Sequence, residues 1–552
     1  MIDAERGGVR RTLAYGLDGG DEGKGDDVSG DSTAAAARTQ TGLRRTVWLG
    51  LCACAASIAL LAIQGLASAR LELTFDEAYY TLWSRALSFG YLDHPPMVAL
   101  LIRASTSLFG GSELGVRALS LLVVGAMPAL VAFIAWRLFR SKEKAALAAL
   151  IWVAMPLVSI GAVFVTPDAP LVVFWTLGLA ALIELWRTGE KRWLIALGVA
   201  LGLAFNRSSP PLFLRLASGS PSSRRPRFAA GFARLRCFSA SPSRSRSFPR
   251  SSPGTPRMAG RLSPSSLAAP PHGFTPYYLG EFLVAQIGLV NPLVFFAFIA
   301  VVSGVSWRAR AAAGSSGEAR RILVCTIAPA ALYFLLHSLH DRVQGNWLAP
   351  LYPAVAILVA DWAVEIRSAH ASGLAAAIAK AVPWATAIGL VVAALAFAEA
   401  ATSAVPLGSA NPLARLEGFR DLARDLDARA RAGNAPYVLT QGYALTSLMT
   451  YYGDPQIAVV QPEQRMRWMF DPEPPASMFT APGLALGEPG RHFDLLMKMR
   501  FRTVEPAGVL NRRQAGGALE AYELYRVADP YAPVLDPVCE RGEVNLQRRC
   551  GS

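Results

Sequence analysis

Charge is scarce in this chain. Only 17% of its 552 residues are charged, while 53% are hydrophobic. With a mean hydropathy of +0.32, that balance excludes an ordinary soluble globular protein of this size and leaves a membrane class. Cysteine is scarce too. The six cysteines are scattered, and none has zinc-type spacing. Cys52, Cys54 and Cys325 fall in apolar stretches, where packing is the expected role. Cys539 and Cys550 flank a polar stretch near the C-terminus and are able to pair if that end is extracytoplasmic. The N-terminal residues are not expected to be a signal peptide. Residues 1–43 are polar, Gly-rich and charged, and read as a disordered cytoplasmic extension or as a start codon placed too early.

One segment has no acids at all. Residues 207–271 hold 12 Arg, 16 Ser and 11 Pro, with no Asp, Glu or Lys. Those arginines account for all but two of the +14 net charges, so the basic balance says little about the rest of the chain. Neither a helical nor a strand period survives there. The segment reads as a disordered loop, as a nucleic-acid-binding tract, or as a compensated frameshift in a GC-rich gene. The frameshift is favoured, and no nucleic-acid partner is expected. The apolar pattern stops in mid-helix at Phe205 and resumes by Phe274. Arginine at this density is costly inside lipid, so spans are not expected within 206–273.

What the chain does have is long apolar runs. Runs of spanning length lie near 47–69, 114–136, 145–165, 169–186, 279–303, 321–339, 347–364 and 381–402, with a truncated one from Trp193. Helices are the reasonable spanning elements for such runs. The fold class is therefore an all-α polytopic membrane protein. Its loops alternate in charge. Arg44 and Arg45, then Arg137 to Lys144, Arg187 to Arg192, Arg308 to Arg321, and Arg367 with Lys380 mark cytoplasmic loops by the positive-inside rule. Residues 70–113, 166–168, 274–280, 340–346 and everything after about 403 are then outside. Within the first outside loop, Met97–Phe109 reads as a short interfacial helix. Residues 404–552 read as a small extracytoplasmic α/β domain, with a helix near Leu416–Ala432 and strands near Pro436–Thr440 and Ile457–Val460. The expected organisation is an extension (1–43), a first membrane part (44–205), the anomalous segment (206–273), a second membrane part (274–403) and this soluble domain.

The acids that remain recur in two outside loops. FDEAYY (75–80) presents Asp76 and Glu77, and GYLDHPPM (90–97) adds Asp93 and His94. TPDAPL (166–171) places Asp168 between two spans. Carboxylates gathered at one membrane face suit general-base activation of a hydroxyl or amine. They equally suit binding of a divalent cation, with His94 as a nitrogen ligand, or stabilisation of positive charge developing on a sugar ring. A secondary transporter usually carries such acids inside its spans, near the midplane, so the outer loops favour an enzyme.

The stretch FDEAYYTLWSRALSFGYLDHPPMVALLIR, followed by TPDAPL and by HSLHDRVQGNWLAPLYP (337–353), resembles the bacterial branch of the dolichyl-phosphate-mannose protein mannosyltransferase family. These are glycosyltransferase family 39 enzymes of GT-C fold, related to the aminoarabinose transferases of lipid A. The resemblance covers roughly 45–205 and 274–403. It implies a GT-C helical bundle that performs inverting hexosyl or pentosyl transfer. The donor would be a polyprenyl-phosphate sugar, the acceptor a lipid, glycan or protein, and the place the outer face of the bacterial inner membrane, with the active site and C-terminal domain periplasmic. By position Asp76, with Glu77 beside it, and Asp168 are the expected catalytic acids. Asp93 matches an acidic position for metal or substrate, which makes a divalent metal cation an expected cofactor. His94 stands where some relatives carry Lys, and with His340 and Arg342 it is a candidate contact for the phosphate. His340 and Arg342 equally suit a role as interfacial anchors, and Trp347 and Tyr352 read as interface markers. Relatives continue through 206–273 with further membrane helices. If that segment is frameshifted in the protein, part of the donor cavity is lost and the chain is the inactive product of a damaged gene.

Overall fold

The computed structural model describes residues 28–204, 274–303, 315–369, 372–402, 416–514 and 517–537. The anomalous 206–273 segment and the Cys539–Cys550 pair therefore lie outside the described residues. Residues up to Trp48 form one unit and Leu49 onward another.

Helix α1 runs Val28–Arg70. It begins well inside the stretch expected to be irregular, where Ala34–Ala37 give a run of the residue with the best helix propensity. Residues 1–27 lie outside the description. The outer loop forms α2 (Phe75–Arg85) and α3 (Met97–Phe109). The bundle continues with α4 (Glu113–Gly125), α5 (Met127–Phe139), α6 (Lys142–Val153), α7 (Pro156–Ser159), α8 (Asp168–Thr188) and α9 (Arg192–Ala204). After the gap come α10 (Tyr277–Val290), α11 (Pro292–Val302), α12 (Ser315–His337), α13 (Tyr352–Ser368) and α14 (Leu374–Thr402). Among the described residues six helices are long and apolar enough to cross a membrane, or up to eight if each of two bent pairs is one span. The chain is a multi-pass membrane protein.

The bent pairs depart from the straight spans expected at 145–165 and 279–303. The first bends by 65° between α6 and the Pro156–Val163 segment. Pro156 heads α7, where its missing N–H costs nothing. The second bends by 110° at Asn291. Asn291 takes φ 84°, a region that asparagine enters more readily than most residues. Its side chain accepts from the Leu293 amide at 3.1 Å and donates to the Ala385 carbonyl at 3.0 Å. These two bonds hold the corner.

The basic residues that marked one side of the membrane meet acids at one end of the bundle. Lys144 Nζ lies 2.6 Å from Asp361 and 3.0 Å from Glu365, and Arg320 pairs with the same two acids at 2.6 and 2.7 Å. Arg137 and Arg187 both pair with Glu184. Helix α8, 21 residues long, rises about 30 Å from Asp168 to this basic end. The acids inside these helices are thus tied to arginine and lysine at one end, which is not the arrangement of a midplane ion pathway.

The C-terminal domain has helices α15 (Phe419–Ala432), α16 (Gly442–Tyr452) and α17 (Phe493–Lys498). Its strands are β1 (Tyr437–Thr440), β2 (Ala458–Val460), β3 (Gly483–Gly487), β4 (Phe501–Gln514) and β5 (Gly517–Pro530). They form one sheet in the order β2-β1-β3-β5-β4. The β1 pairings are parallel, and β3–β5 and β4–β5 are antiparallel. The first three expected elements are present, and the β4–β5 hairpin is additional. Leu422, Leu426, Val438, Leu448 and Leu484 form a single buried core with Tyr79, Tyr80, Trp83, Val98 and Ile102 of the outer loop. The domain is therefore packed onto α2 and α3.

Candidate active site

The site is built on the first turn of α2. Thr74 caps this helix in a reciprocal box: the Glu77 amide donates to Thr74 Oγ1 at 3.1 Å and the Thr74 amide to Glu77 Oε2 at 3.0 Å. Glu77 is fully buried, and Arg117 of α4 grips it with both arms, Nε to Oε1 at 2.8 Å and Nη2 to Oε2 at 2.7 Å. The other Arg117 hydrogens go to the carbonyls of Ser68, Leu71 and Glu72. Glu77 Oε1 also accepts the Val165 amide at 2.9 Å. One carboxylate thus ties the first acidic loop to the second. Glu77 was expected among the catalytic acids, but its oxygens are committed to this internal framework.

The tie holds the backbone at Val165, three residues before Asp168, against the first turn of α2 that carries Asp76. Asp76 Oδ1 accepts from the Tyr443 hydroxyl of α16 at 3.2 Å. Asp168 opens α8 and accepts from the Asn346 amide. Asn346 sits in a 3-10 turn (Gly345–Leu351) that Gln286 of α10 steadies by donating to the Gly345 carbonyl at 2.8 Å. Tyr80, one turn on from Asp76 in the same helix, is 4% exposed. Burial pushes its phenol well above the ordinary value, and the negative fields of Asp76, Asp93 and Asp168 push the same way. All three aspartates of the two loops therefore act on one point.

Asp76 itself is pushed up. Burial is the largest cause; the Tyr443 hydrogen bond opposes it, Asp93 and Glu77 add to it, and Arg467 opposes it. A carboxylate raised towards the working pH is a better proton acceptor than an ordinary one.

Asp93 is paired with Arg467 Nη1, an arginine from the C-terminal domain, and lies 3.3 Å from the Tyr79 hydroxyl. A guanidinium thus neutralises Asp93 where a metal ion was expected to. Among the described residues no three His, Cys, Asp or Glu side chains converge in a way that could hold a metal. The donor set does not fit a divalent cation here. His94 lies edge-on to Tyr80, ring centres 5.7 Å apart, so it borders the acidic centre. His340 and Arg342 do not join it through their recorded contacts. His340 is exposed and meets Phe274 edge-on, and Arg342, 60% exposed, pairs with Glu281. Trp347 is 43% exposed, which suits an interface marker. Tyr352, read the same way, is instead buried and donates to Gln286 at 2.8 Å.

Beside the acids a shallow apolar hollow of about 30 Å³ is lined by Pro95, Met97, Val98, Pro167, Pro170, Leu171 and the end of α9. Its walls directly follow His94 and flank Asp168. Sequence reasoning missed Arg117, Asn346, Tyr443 and Arg467. Arg467 stands 374 positions from Asp93, and nothing local in RMRW (465–468) marks it.

Residues 93–217 match the family model of dolichyl-phosphate-mannose-protein mannosyltransferases. A lipid A galacturonosyltransferase, RgtD of Rhizobium johnstonii, is 26% identical over 311 residues, 53% of this chain and 60% of that protein. The crystal structure of ArnT from Cupriavidus metallidurans in the apo state superimposes with TM-score 0.51 at 14% identity, over 90% of this chain and all of ArnT. The form bound to undecaprenyl phosphate gives 0.50 at 15% identity, over 89% of this chain and again all of ArnT. The chain shares the fold of ArnT, and its residues 93–217 are similar to the dolichyl-phosphate-mannose-protein mannosyltransferases. The chain spans about 60% of the length of its curated relative. Within the GT-C fold of this chain, the matched family region opens at Asp93 and takes in Asp168.

Proposed function

We propose that the protein is an inverting membrane glycosyltransferase. It moves a sugar from a polyprenyl-phosphate donor to an envelope lipid acceptor on the outer face of the bacterial inner membrane, where the acidic loops and the C-terminal domain are periplasmic. One observation carries the reading: Glu77, Arg117 and the Val165 amide join the two acidic loops, so that the segments bearing Asp76 and Asp168 meet at one face. The named activity of the galacturonosyltransferase relative and the undecaprenyl phosphate held by ArnT support the donor and acceptor classes.

The geometry serves the chemistry as follows. Asp76 takes the proton from the acceptor hydroxyl as its oxygen bonds to the anomeric carbon. The bond from that carbon to the phosphate oxygen breaks on the opposite face, and its electron pair leaves with the phosphate. The phosphate departs already anionic and needs little acid help. Asp168, held by Asn346 at the head of α8, steadies the positive charge that develops on the ring. Glu77 is a framework residue and not a catalytic acid. The reading is tested by comparing the masses of envelope lipids from cells with and without the gene. A sugar present on a lipid only when the gene is intact supports it. Identical lipid profiles under conditions where the protein is made would refute it.

A further inference from the structure

Arg467 reaches the acidic centre from the C-terminal domain, and the reaction above has no use for it as yet. Its Nη1 binds Asp93, and its guanidinium lies 4.6 Å above the ring of Tyr443. Tyr443 in turn donates to Asp76 at 3.2 Å. Arg467 is thus one aromatic ring away from the proposed base. Its side chain is 21% exposed, and its Nε is buried with no hydrogen-bond partner among the described residues. Burial works against its charge, but the carboxylate of Asp93 outweighs it and holds the guanidinium above its ordinary range. A desolvated guanidinium with donor capacity to spare binds oxyanions through paired N–H bonds.

Position narrows which oxyanion. In an inverting displacement the base and the leaving phosphate lie on opposite faces of the anomeric carbon. A cation coupled to the base through one tyrosine is on the base's side, away from the leaving group. The donor phosphate is therefore a poor match. An anion carried by the sugar ring, or by the acceptor near its attacking hydroxyl, is a good one. Resting on the glycosyltransferase reading, we infer that Arg467 is a specificity-determining contact. It recognises an oxyanion on the acceptor side of the transfer, which is either the carboxylate of an acidic sugar or a phosphate on the acceptor lipid. Asp93 holds the fork in place with one carboxylate and leaves the remaining hydrogens for the substrate.

The test uses the full-length protein in proteoliposomes. Two polyprenyl-phosphate donors, one carrying a uronic acid and one the matching neutral hexose, are crossed with a lipid acceptor bearing its phosphate or stripped of it. The readout is the preference, as a ratio of kcat/KM, for each anionic substrate over its neutral partner. Arg467→Gln is expected to lower one of the two ratios about tenfold or more, the worth of a hydrogen bond to a charged group. A fall in the donor ratio assigns the sugar carboxylate, and a fall in the acceptor ratio assigns the lipid phosphate. Arg467→Lys should restore part of the lost preference, whereas Asp93→Asn, which keeps the guanidinium, should retain the preference. If Arg467→Gln lowers all four rates in proportion, or changes none, the inference is overturned. It is also overturned if Asp93→Asn abolishes the preference as fully. A wild-type protein inactive with every pair would sink the underlying glycosyltransferase reading and this inference with it.

Discussion

Replacing Arg117 with Met should loosen the two acidic loops without unfolding the bundle. The guanidinium makes two bonds to Glu77 and bonds to three main-chain carbonyls, and neither side chain of the pair is exposed. Removing one partner of a buried, hydrogen-bonded ion pair leaves the other charged and dry, at a cost of about 3–5 kcal/mol. Glu77 retains only the Thr74 and Val165 amides. That cost falls on local opening of the segments Glu77 joins. Opening of residues 71–80 and 163–168 should become more frequent by a factor of about a hundred to several thousand, since about 1.4 kcal/mol is tenfold. Hydrogen-exchange mass spectrometry of the detergent-solubilised protein reads this directly. Peptides from α13, which is buried along most of its length, serve as the internal control. The double variant Glu77→Gln, Arg117→Met, with no orphaned charge, should recover much of the protection. Exchange in 71–80 that stays within a few-fold of wild type would refute the claim that this pair ties the loops together.

The remaining expectations are simpler to state. Tyr443→Phe removes the hydrogen bond that most opposes the rise of Asp76, so the carboxyl should rise further. A base acts when ionised, so the acid limb of the pH–rate profile should move to higher pH. An unmoved or lowered limb argues against Asp76 as the titrating base. Cysteines placed at Phe89, fully exposed on the α2–α3 loop, and at Glu190, between α8 and α9, should be labelled from opposite sides of the membrane in a background lacking the native cysteines. Labelling from one side at both positions would break the topology.

Much of this architecture was readable from the amino-acid order, because lipid imposes a simple rule. A helix that crosses hydrocarbon must be apolar for its whole length, and runs such as 114–136 and 169–186 announce themselves. The basic loops have a related physical logic: Arg137, Lys144 and Arg320 each pair with an acid. The short helix Met97–Phe109 appeared with the bounds expected of it, since its apolar spacing and length both fell short of a span. The bends at Asn291 and Pro156 were not readable, because hydropathy carries no direction. The β4–β5 hairpin was missed because β4 carries Pro506 and Gly508 at a register shift, which interrupt strand alternation.

The acidic site was legible only in its local half. Asp76, Asp93 and Asp168 are marked by their motifs, and the structure brings them to one tyrosine. Whether Glu77 acts on substrate or holds the frame depends on Arg117, forty positions away, and two adjacent acids look alike in a motif. Arg467 and Tyr443 arrive through a domain interface, and their sequence surroundings are those of ordinary surface helices and turns.

The central claim is that Asp76 takes the acceptor's proton during transfer from a polyprenyl-phosphate sugar. It is tested most directly by reconstituting wild type and Asp76→Asn with a radiolabelled donor and counting label in the acceptor lipid. Asparagine is close in shape and still able to accept from Tyr443, so insertion and thermal stability should match wild type. Transfer should fall by about 10²–10⁴-fold, the usual contribution of a positioned general base. Label transferred by Asp76→Asn at the wild-type rate would contradict the account.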